Sequence, residues 1–569
     1  MAKYAVGVDF GTLSARAVVV EIGTGRELGG AAQDYPHGVL DFQLPDGTPI
    51  KPSWALQVPG DYVECLYATV ASAVREAGVN PADIVGLGID VTSNTMLPVD
   101  ASDGPLCEQE LFSSNPYAYI MLWKHHGAQE YAERIERIAK ERHERFLHRY
   151  GHGVSAEWML PKLWQIAQEA PEVYDAADRF LEVGDWLVLK MTGHLARSES
   201  MAGYKAFWSR EDGYPSEEFL ASLHPSLRTL ASDKLRGDVV PLGTCVGTLL
   251  PEAAARMGLQ PGIAIATANI DAHVSLPGIG LTDPGILLMI MGTSTCHIML
   301  GEKEMPVSGI CGVVRDGVVP GTYGYEAGQS CCGDHFRWLL ENALPSSVER
   351  EAQEKGRDVH ALLSMKAARL RPGESGLLAL DWWNGNRSVL MDMDLSGLML
   401  GMTLQTKPEE IYRALIEATA FGMRRILEGF EENGLPVHQL LACGGIARKN
   451  PLFMQIYADV SGREIRIGRS SQTPALGSAM FGAVAAGKAG GGYDSIREAA
   501  AEMGAVDPKP VIPDPQAHAV YNELYEEYKT LHDWFGRGGN PVMKHLRGLR
   551  NQMIEERMQE EIRGEQDRT

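Results

Sequence analysis

Cysteine is scarce. The 569-residue chain has eight, at positions 65, 107, 245, 296, 311, 331, 332 and 443, with no C-x-x-C spacing. That excludes a disulfide framework and a thiolate zinc site, and predicts reduced, mostly buried thiols. Basic residues are in deficit too, 52 against 74 acidic ones, for a net charge of −22. A surface of that sign repels phosphate backbones and anionic lipid, which argues against nucleic acid or a membrane surface as the main partner. No apolar run approaches the length of a bilayer span. The first apolar strand starts within a few residues of Met1, so no signal peptide is expected and a cytoplasmic location is.

The chain is too long for one hydrophobic core and predicts two sizeable domains, 1–281 and 282–569. Their starting points look alike. Val6-Gly7-Val8-Asp9-Phe10 and Ala17-Val18-Val19-Val20 flank the polar turn Gly11-Thr12-Leu13-Ser14, the pattern of a β-hairpin. Gly11 leaves backbone N–H groups open to a phosphate, Thr12 and Ser14 add hydroxyls, and Arg16 adds a fixed positive charge. Asp9 beside such a cradle makes sense with Mg²⁺ between carboxylate and phosphate. The plan recurs at Ile286–Leu300 around Gly292-Thr293-Ser294-Thr295, and the two glycines lie 281 positions apart. A repeat at half the chain length predicts two related domains, each offering one hairpin to a shared cleft.

Carboxylates and a lysine stand at other strand ends. Ile84–Ile89 reads as a buried strand delivering Asp90-Val91-Thr92-Ser93-Asn94, either to a ligand or to a polar turn. Ile263–Ala268 runs into Asp271, which suits a general base or a helix cap. Lys205, among Tyr204, Phe207 and Trp208, is fixed in a pocket or snorkels at the surface. Glu326 lies among glycine and alanine, open to close approach. Cys443-Gly444-Gly445 joins a strand to a helix with bare backbone on which a flat ligand can lie. Gly482–Ala489 nearly matches a Walker A loop, but Ala489 stands where Mg²⁺ needs a hydroxyl, and the stretch reads as helix. Five histidines at 125, 126, 143, 148 and 152 fit no compact ligand set and are read as a solvated helix face.

The paired hairpins resemble the actin-like ATPase fold. With Asp271 and Cys443-Gly444-Gly445 they resemble the FGGY carbohydrate kinases over nearly the whole chain. Asp90-Val91-Thr92-Ser93, Trp123-Lys124, Tyr204-Lys205-Ala206, Tyr325–Gln329 and Leu531–Gly536 are similar to a ketopentose-phosphorylating branch. The resemblance implies an α/β fold of two actin-like (ribonuclease H-like) domains, mixed sheets flanked by helices, with the active site in the interdomain cleft. It implies ATP and Mg²⁺ as cofactors and transfer to O5 of a ketopentose, L-ribulose first, in arabinose catabolism. Asp271 would be the base, with Ser93, Lys205, Asp271 and Glu326 on the sugar. Gly11, Thr12, Ser14, Arg16, Gly292 and Thr293 would grip phosphates, and Gly444, Gly445 and Asn450 would border adenine. Gly385 would touch the nucleotide, while Asp9 and Asp271 would organise the metal. Another ketopentose, a pentitol or rhamnulose is the nearest alternative substrate, and an actin-like or chaperone ATPase the more distant reading. Pairing of two copies is the expected assembly.

Overall fold

A computed structural model describes residues 2–566. The first sheet contains β1 (Tyr4–Phe10), β2 (Ser14–Glu21), β3 (Glu27–Asp34), β4 (Ile84–Val91), β5 (Cys245–Thr248), β6 (Ala264–Ala266) and β7 (Asn269–Ile270). Their order is β5-β6-β4-β1-β2-β3, with β7 against the end of β4. The second sheet contains β8 (Ile286–Met291), β9 (Thr295–Gly301), β10 (Gly312–Arg315), β11 (Tyr323–Gln329), β12 (Gln439–Cys443) and β13 (Ile465–Ile467), in the order β10-β11-β9-β8-β12-β13. The predicted repeat is present as topology. In each sheet a tight hairpin pairs antiparallel, a third strand joins its outer side, and two parallel strands join the other side.

The strands read as near-continuous apolar runs because both faces are covered. Between the sheets lie α1 (Asp271–Ile279) and α2 (Thr473–Gly490), which share one core with residues of both sheets. The second helix comes from the C-terminal half yet seats on the first sheet. Contact is close enough that a Cβ on Gly7 would stand 1.8 Å from the Ala475 carbonyl oxygen. The structure therefore crosses the sequence midpoint through 473–503, although the strands divide near 281. The Walker-like stretch lies in this helix, as its composition predicts.

A third core occupies the first half. It gathers Trp54, Trp158 and Trp164 around a small sheet of Leu56–Gln57, Met96–Val99, Ile120–Met121 and Arg179–Glu182. The stretch that carries the five histidines is α-helical only at Gln129–Glu141, with a 3₁₀ segment at Arg145–Tyr150. His125 is not solvated. It is buried against Gln165 at 3.2 Å, and burial pushes its pKa down to about 3. All eight cysteines are free thiols, six of them buried. Among the described residues no group of three or more metal-ligating side chains converges, and no helix is long and apolar enough to cross a membrane. The charged tail expected at 555–569 starts as the end of a helix, Val542–Gln566, and its last three positions lie outside the described residues.

Candidate active site

Strand register assembles the acidic floor. Asp9 on β1 pairs with Arg16 on β2 and with Asp90 on β4, and Asp90 pairs with Asn269 on β7. Cross-strand partners face the same side of a sheet, so these four form one row. Two residues after Asn269, Asp271 opens α1, and its Oδ1 accepts the Ala272 N–H at 2.8 Å. Asp271 is thus both the start of a helix and a wall of the cleft. Burial, then the Asp9 carboxylate, push its pKa up to about 7. Asp90 is pushed well above its ordinary range by burial and Asp9, while Ser478 of α2 donates to its Oδ2 at 2.5 Å. Asp9 is raised by burial as well, with Arg16 opposing. Three desolvated carboxylates repel one another here, and Asp90 Oδ1 has no hydrogen-bond partner among the described residues. This donor set suits a hard cation that keeps most of its waters and needs only one or two carboxylates besides phosphate.

Each turn is closed by its glycine N–H, across three residues in the first and two in the second. Gly11 N–H donates to the Ser14 carbonyl at 3.0 Å, and Gly292 N–H to the Ser294 carbonyl at 3.0 Å. In the first turn the carbonyls are held away from the cleft, Gly11 by the Tyr35 hydroxyl and Thr12 by Gln57. The Thr12 hydroxyl accepts the Trp123 indole N–H at 3.1 Å, linking the phosphate turn to the opposite wall.

Two cavities meet at the second turn. One, about 210 Å³, is walled by Thr12, Ser93, Asp271, Thr293, Glu326 and Arg387. The other, about 580 Å³, is walled by Phe336, His360, Tyr412, Gly445 and Asn450, and Gly292 borders both. Gly444, just behind, needs φ +96°, and a Cβ there would stand 2.4 Å from the Met291 carbonyl oxygen. Asn450 also caps the helix Pro451–Ser461, accepting from Phe453 N–H at 3.2 Å. Of the first hairpin only Thr12 lines the smaller cavity, while Gly11, Ser14 and Arg16 stand outside the lining. Gly385 is not brought to either cavity. Its φ of +73° and a contact with the Met393 backbone account for the glycine, a turn requirement that resembles a ligand position in sequence.

Lys205 and Glu326 come from different halves. The helix Glu199–Lys205 docks on β11, where the Tyr204 hydroxyl donates to the Gly324 carbonyl at 2.6 Å. Lys205 Nζ then lies 3.0 Å from both Glu326 oxygens, its side chain wholly inaccessible. It stands behind Glu326 and is not part of the cavity wall. Despite the cost of burial, Lys205, His273 and Arg387 hold the Glu326 carboxyl well below its ordinary range. His273 on α1 is the third partner, at 3.1 Å. The residues that sequence reasoning missed are Arg387 and Glu157 in this cavity and Tyr412, His360 and Phe336 in the other. No local pattern marks them, because each comes from a segment read as loop or core.

Lys162 braces the same wall from beneath, donating to the carbonyls of Asn94 at 2.6 Å and Leu122 at 2.9 Å. Nearby Glu182 is buried, and neither of its carboxylate oxygens reaches a hydrogen-bond partner among the described residues. Burial and Asp185 push its pKa up to about 8, against the opposing charges of Lys162 and Lys205. The native state therefore binds a proton that the unfolded chain releases near 4.5, and stability falls as pH rises between those values. Burial brings Lys162 down to about 7. Its own effect, a gain in stability with rising pH, therefore begins only above that value. In Glu182→Gln the difference in stability from wild type should shift in the variant's favour by ~2 kcal/mol between pH 5 and pH 7, as read by denaturant melts. A difference independent of pH would show that Glu182 is ionised throughout.

With this geometry in hand, sequence comparison gives the family. The model of the N-terminal domain of the FGGY family of carbohydrate kinases matches residues 4–278, and that of the C-terminal domain matches 287–486. The chain belongs to the FGGY family of carbohydrate kinases. It is 55% identical over 546 residues to a protein named ribulokinase from Geobacillus thermodenitrificans, covering 96% of this chain and 97% of that one. A second ribulokinase, from Halalkalibacterium halodurans, is 55% identical over 551 residues, 96% of this chain and 98% of that one. Among solved structures, a xylulose kinase from Rhodospirillum rubrum superposes with a TM-score of 0.73 at 22% identity, over 93% of this chain and 98% of that one. The fold is therefore that of FGGY sugar kinases, the chain is a carbohydrate kinase, and ATP is its phosphoryl donor.

Proposed function

We infer that the chain transfers the γ-phosphoryl group of ATP to O5 of L-ribulose, giving L-ribulose 5-phosphate in arabinose catabolism. The observation that carries this reading is the junction of the two cavities at Gly292, with Asp271 on the smaller side. A nucleotide in the larger cavity, against Gly444, Gly445 and Asn450, would run its phosphates over Gly292 and Thr293 toward Gly11, Thr12, Ser14 and Arg16. A polyol in the smaller one would meet Ser93 and Glu326, which Lys205 holds from behind. Relatives named ribulokinase support ribulose over other acceptors.

Phosphoryl transfer asks mainly for alignment and charge neutralisation. Asp271 takes the proton from the attacking hydroxyl, and the two turns donate N–H and hydroxyl groups to phosphate oxygens. Asp9 and Asp271 would hold Mg²⁺, which neutralises phosphate charge when bound. Closing one half on the other excludes water, so the acceptor is the sugar. An actin-like or chaperone ATPase would share the turns but has no use for a small polar cavity beside them. ADP release at fixed ATP, compared across L-ribulose, D-ribulose, ribitol and xylulose, tests the reading. The highest kcat/KM is expected with L-ribulose, whereas ADP release indifferent to sugar would overturn it.

A further inference from the structure

Four hydroxyls stand in the two turns, on Thr12, Ser14, Thr293 and Ser294, and among the described residues only that of Thr12 is held by another side chain. Its oxygen accepts the Trp123 indole N–H at 3.1 Å. An indole N–H is a donor only, so this bond uses a lone pair of the hydroxyl and leaves the hydroxyl proton unspent. That proton has no acceptor among the described residues, and Thr12 lines the smaller cavity. The Thr12 carbonyl is fixed as well. Gln57 Nε2 donates to it at 2.9 Å, and Gln57 Oε1 in turn accepts the Tyr62 hydroxyl at 2.6 Å.

Both grips on Thr12 come from the small sheet of the third core. Gln57 is the register partner of Ile120, and Trp123 follows Ile120 on the same segment. Leu122, next to Trp123, is pinned on both sides. Its N–H donates to the Ala55 carbonyl at 3.0 Å, and its carbonyl accepts from the buried Lys162 at 2.9 Å. The indole is therefore carried on backbone that the third core holds still, and it lines the same cavity as Thr12 and Asp271.

We propose that Trp123 is a positioning residue for phosphoryl transfer, its indole N–H setting the Thr12 hydroxyl so that the hydroxyl donates its proton to a phosphate oxygen of ATP. The proposal rests on the kinase reading given above. A free threonine hydroxyl rotates to suit its surroundings, whereas one that already accepts from a fixed donor has fewer directions left for its own proton. A donor aimed in advance needs no reorganisation when charge moves on the phosphoryl group. Gln57 contributes by keeping the carbonyl of the same residue from facing that charge.

The test is a double-mutant cycle of Trp123→Phe and Thr12→Val, read as kcat/KM for ATP at saturating L-ribulose. Thr12→Val should lose ~10- to 100-fold, the range of a hydrogen bond to a charged group, and Trp123→Phe ~3- to 10-fold, the range of a neutral one. The double variant should match Thr12→Val within about twofold, because no hydroxyl remains for the indole to set. Thr12→Ser, which keeps the hydroxyl, should stay within about threefold of wild type, and adding Trp123→Phe to it should bring the loss back. Losses that multiply in the double variant, an unchanged value in Thr12→Val, or a Trp123→Phe effect confined to the KM for sugar would overturn the assignment and leave the ring a wall only. The serine pair decides the matter even if the valine variant melts early: no loss on adding Trp123→Phe to Thr12→Ser overturns it too. A wild type that releases no ADP with L-ribulose would instead refute the kinase reading, before any variant is assayed.

Discussion

Asp271→Asn should lower kcat by at least ~10²-fold, the scale of a lost general base, with the KM for sugar and ATP within about threefold. The substitution keeps size and the oxygen that accepts the Ala272 N–H, so the start of α1 is preserved. It removes only the ability to take a proton and one negative charge from a floor already crowded by Asp9 and Asp90. A less crowded floor favours folding, so Asp271→Asn should be at least as stable as wild type. Lost turnover in a stable protein separates chemistry from structure. Near-normal kcat would show that another group takes the proton.

Lys205→Met should raise the KM for the sugar at least ~10-fold and leave that for ATP within about twofold. It should also cost about 3–5 kcal/mol of stability, the range for removing one partner of a buried ion pair. The ammonium has no water to fall back on, and Glu326 would lose one donor from each oxygen. The remaining partners, His273 and Arg387, would then shift, and Arg387 is the one that faces the cavity. Because the pair bridges the helix Glu199–Lys205 and β11, the docking of the two halves loosens as well. Equal changes in both KM values would mean that Lys205 serves the fold alone. The double variant Lys205→Met/Glu326→Gln should recover part of the lost stability, since no unpaired carboxylate remains.

What the sequence made legible was local and repeated. The Gly11 and Gly292 turns and the strands around them follow from apolar runs broken by short polar turns and are present as read, whereas Asp90 lies within its strand and the run into Asp271 is split into Ala264–Ala266 and Asn269–Ile270. The packing of α2 on the first sheet was not legible. Gly7 and Ala475 come from opposite ends of the chain, and a stripe of small residues looks the same whether it meets its own sheet or a distant one. Lys205 was marked only by the family resemblance, and its depth was not legible, because aromatic neighbours suit an exposed stem and a buried ammonium equally. Arg387 left no signal: it sits in irregular chain after Gly385 and reaches Glu326 only through the fold. The adenine-side walls, Phe336, His360 and Tyr412, converge from three separate helices.

The central claim is that one nucleotide bridges the two turns with the sugar hydroxyl between it and Asp271. A crystal structure with a non-hydrolysable ATP analogue, Mg²⁺ and L-ribulose tests this directly. The account predicts the γ-phosphate between Gly11 and Gly292, with the sugar O5 within hydrogen-bonding distance of an Asp271 carboxylate oxygen. A nucleotide bound away from Gly292, or a sugar whose nearest hydroxyl is out of reach of Asp271, would contradict it.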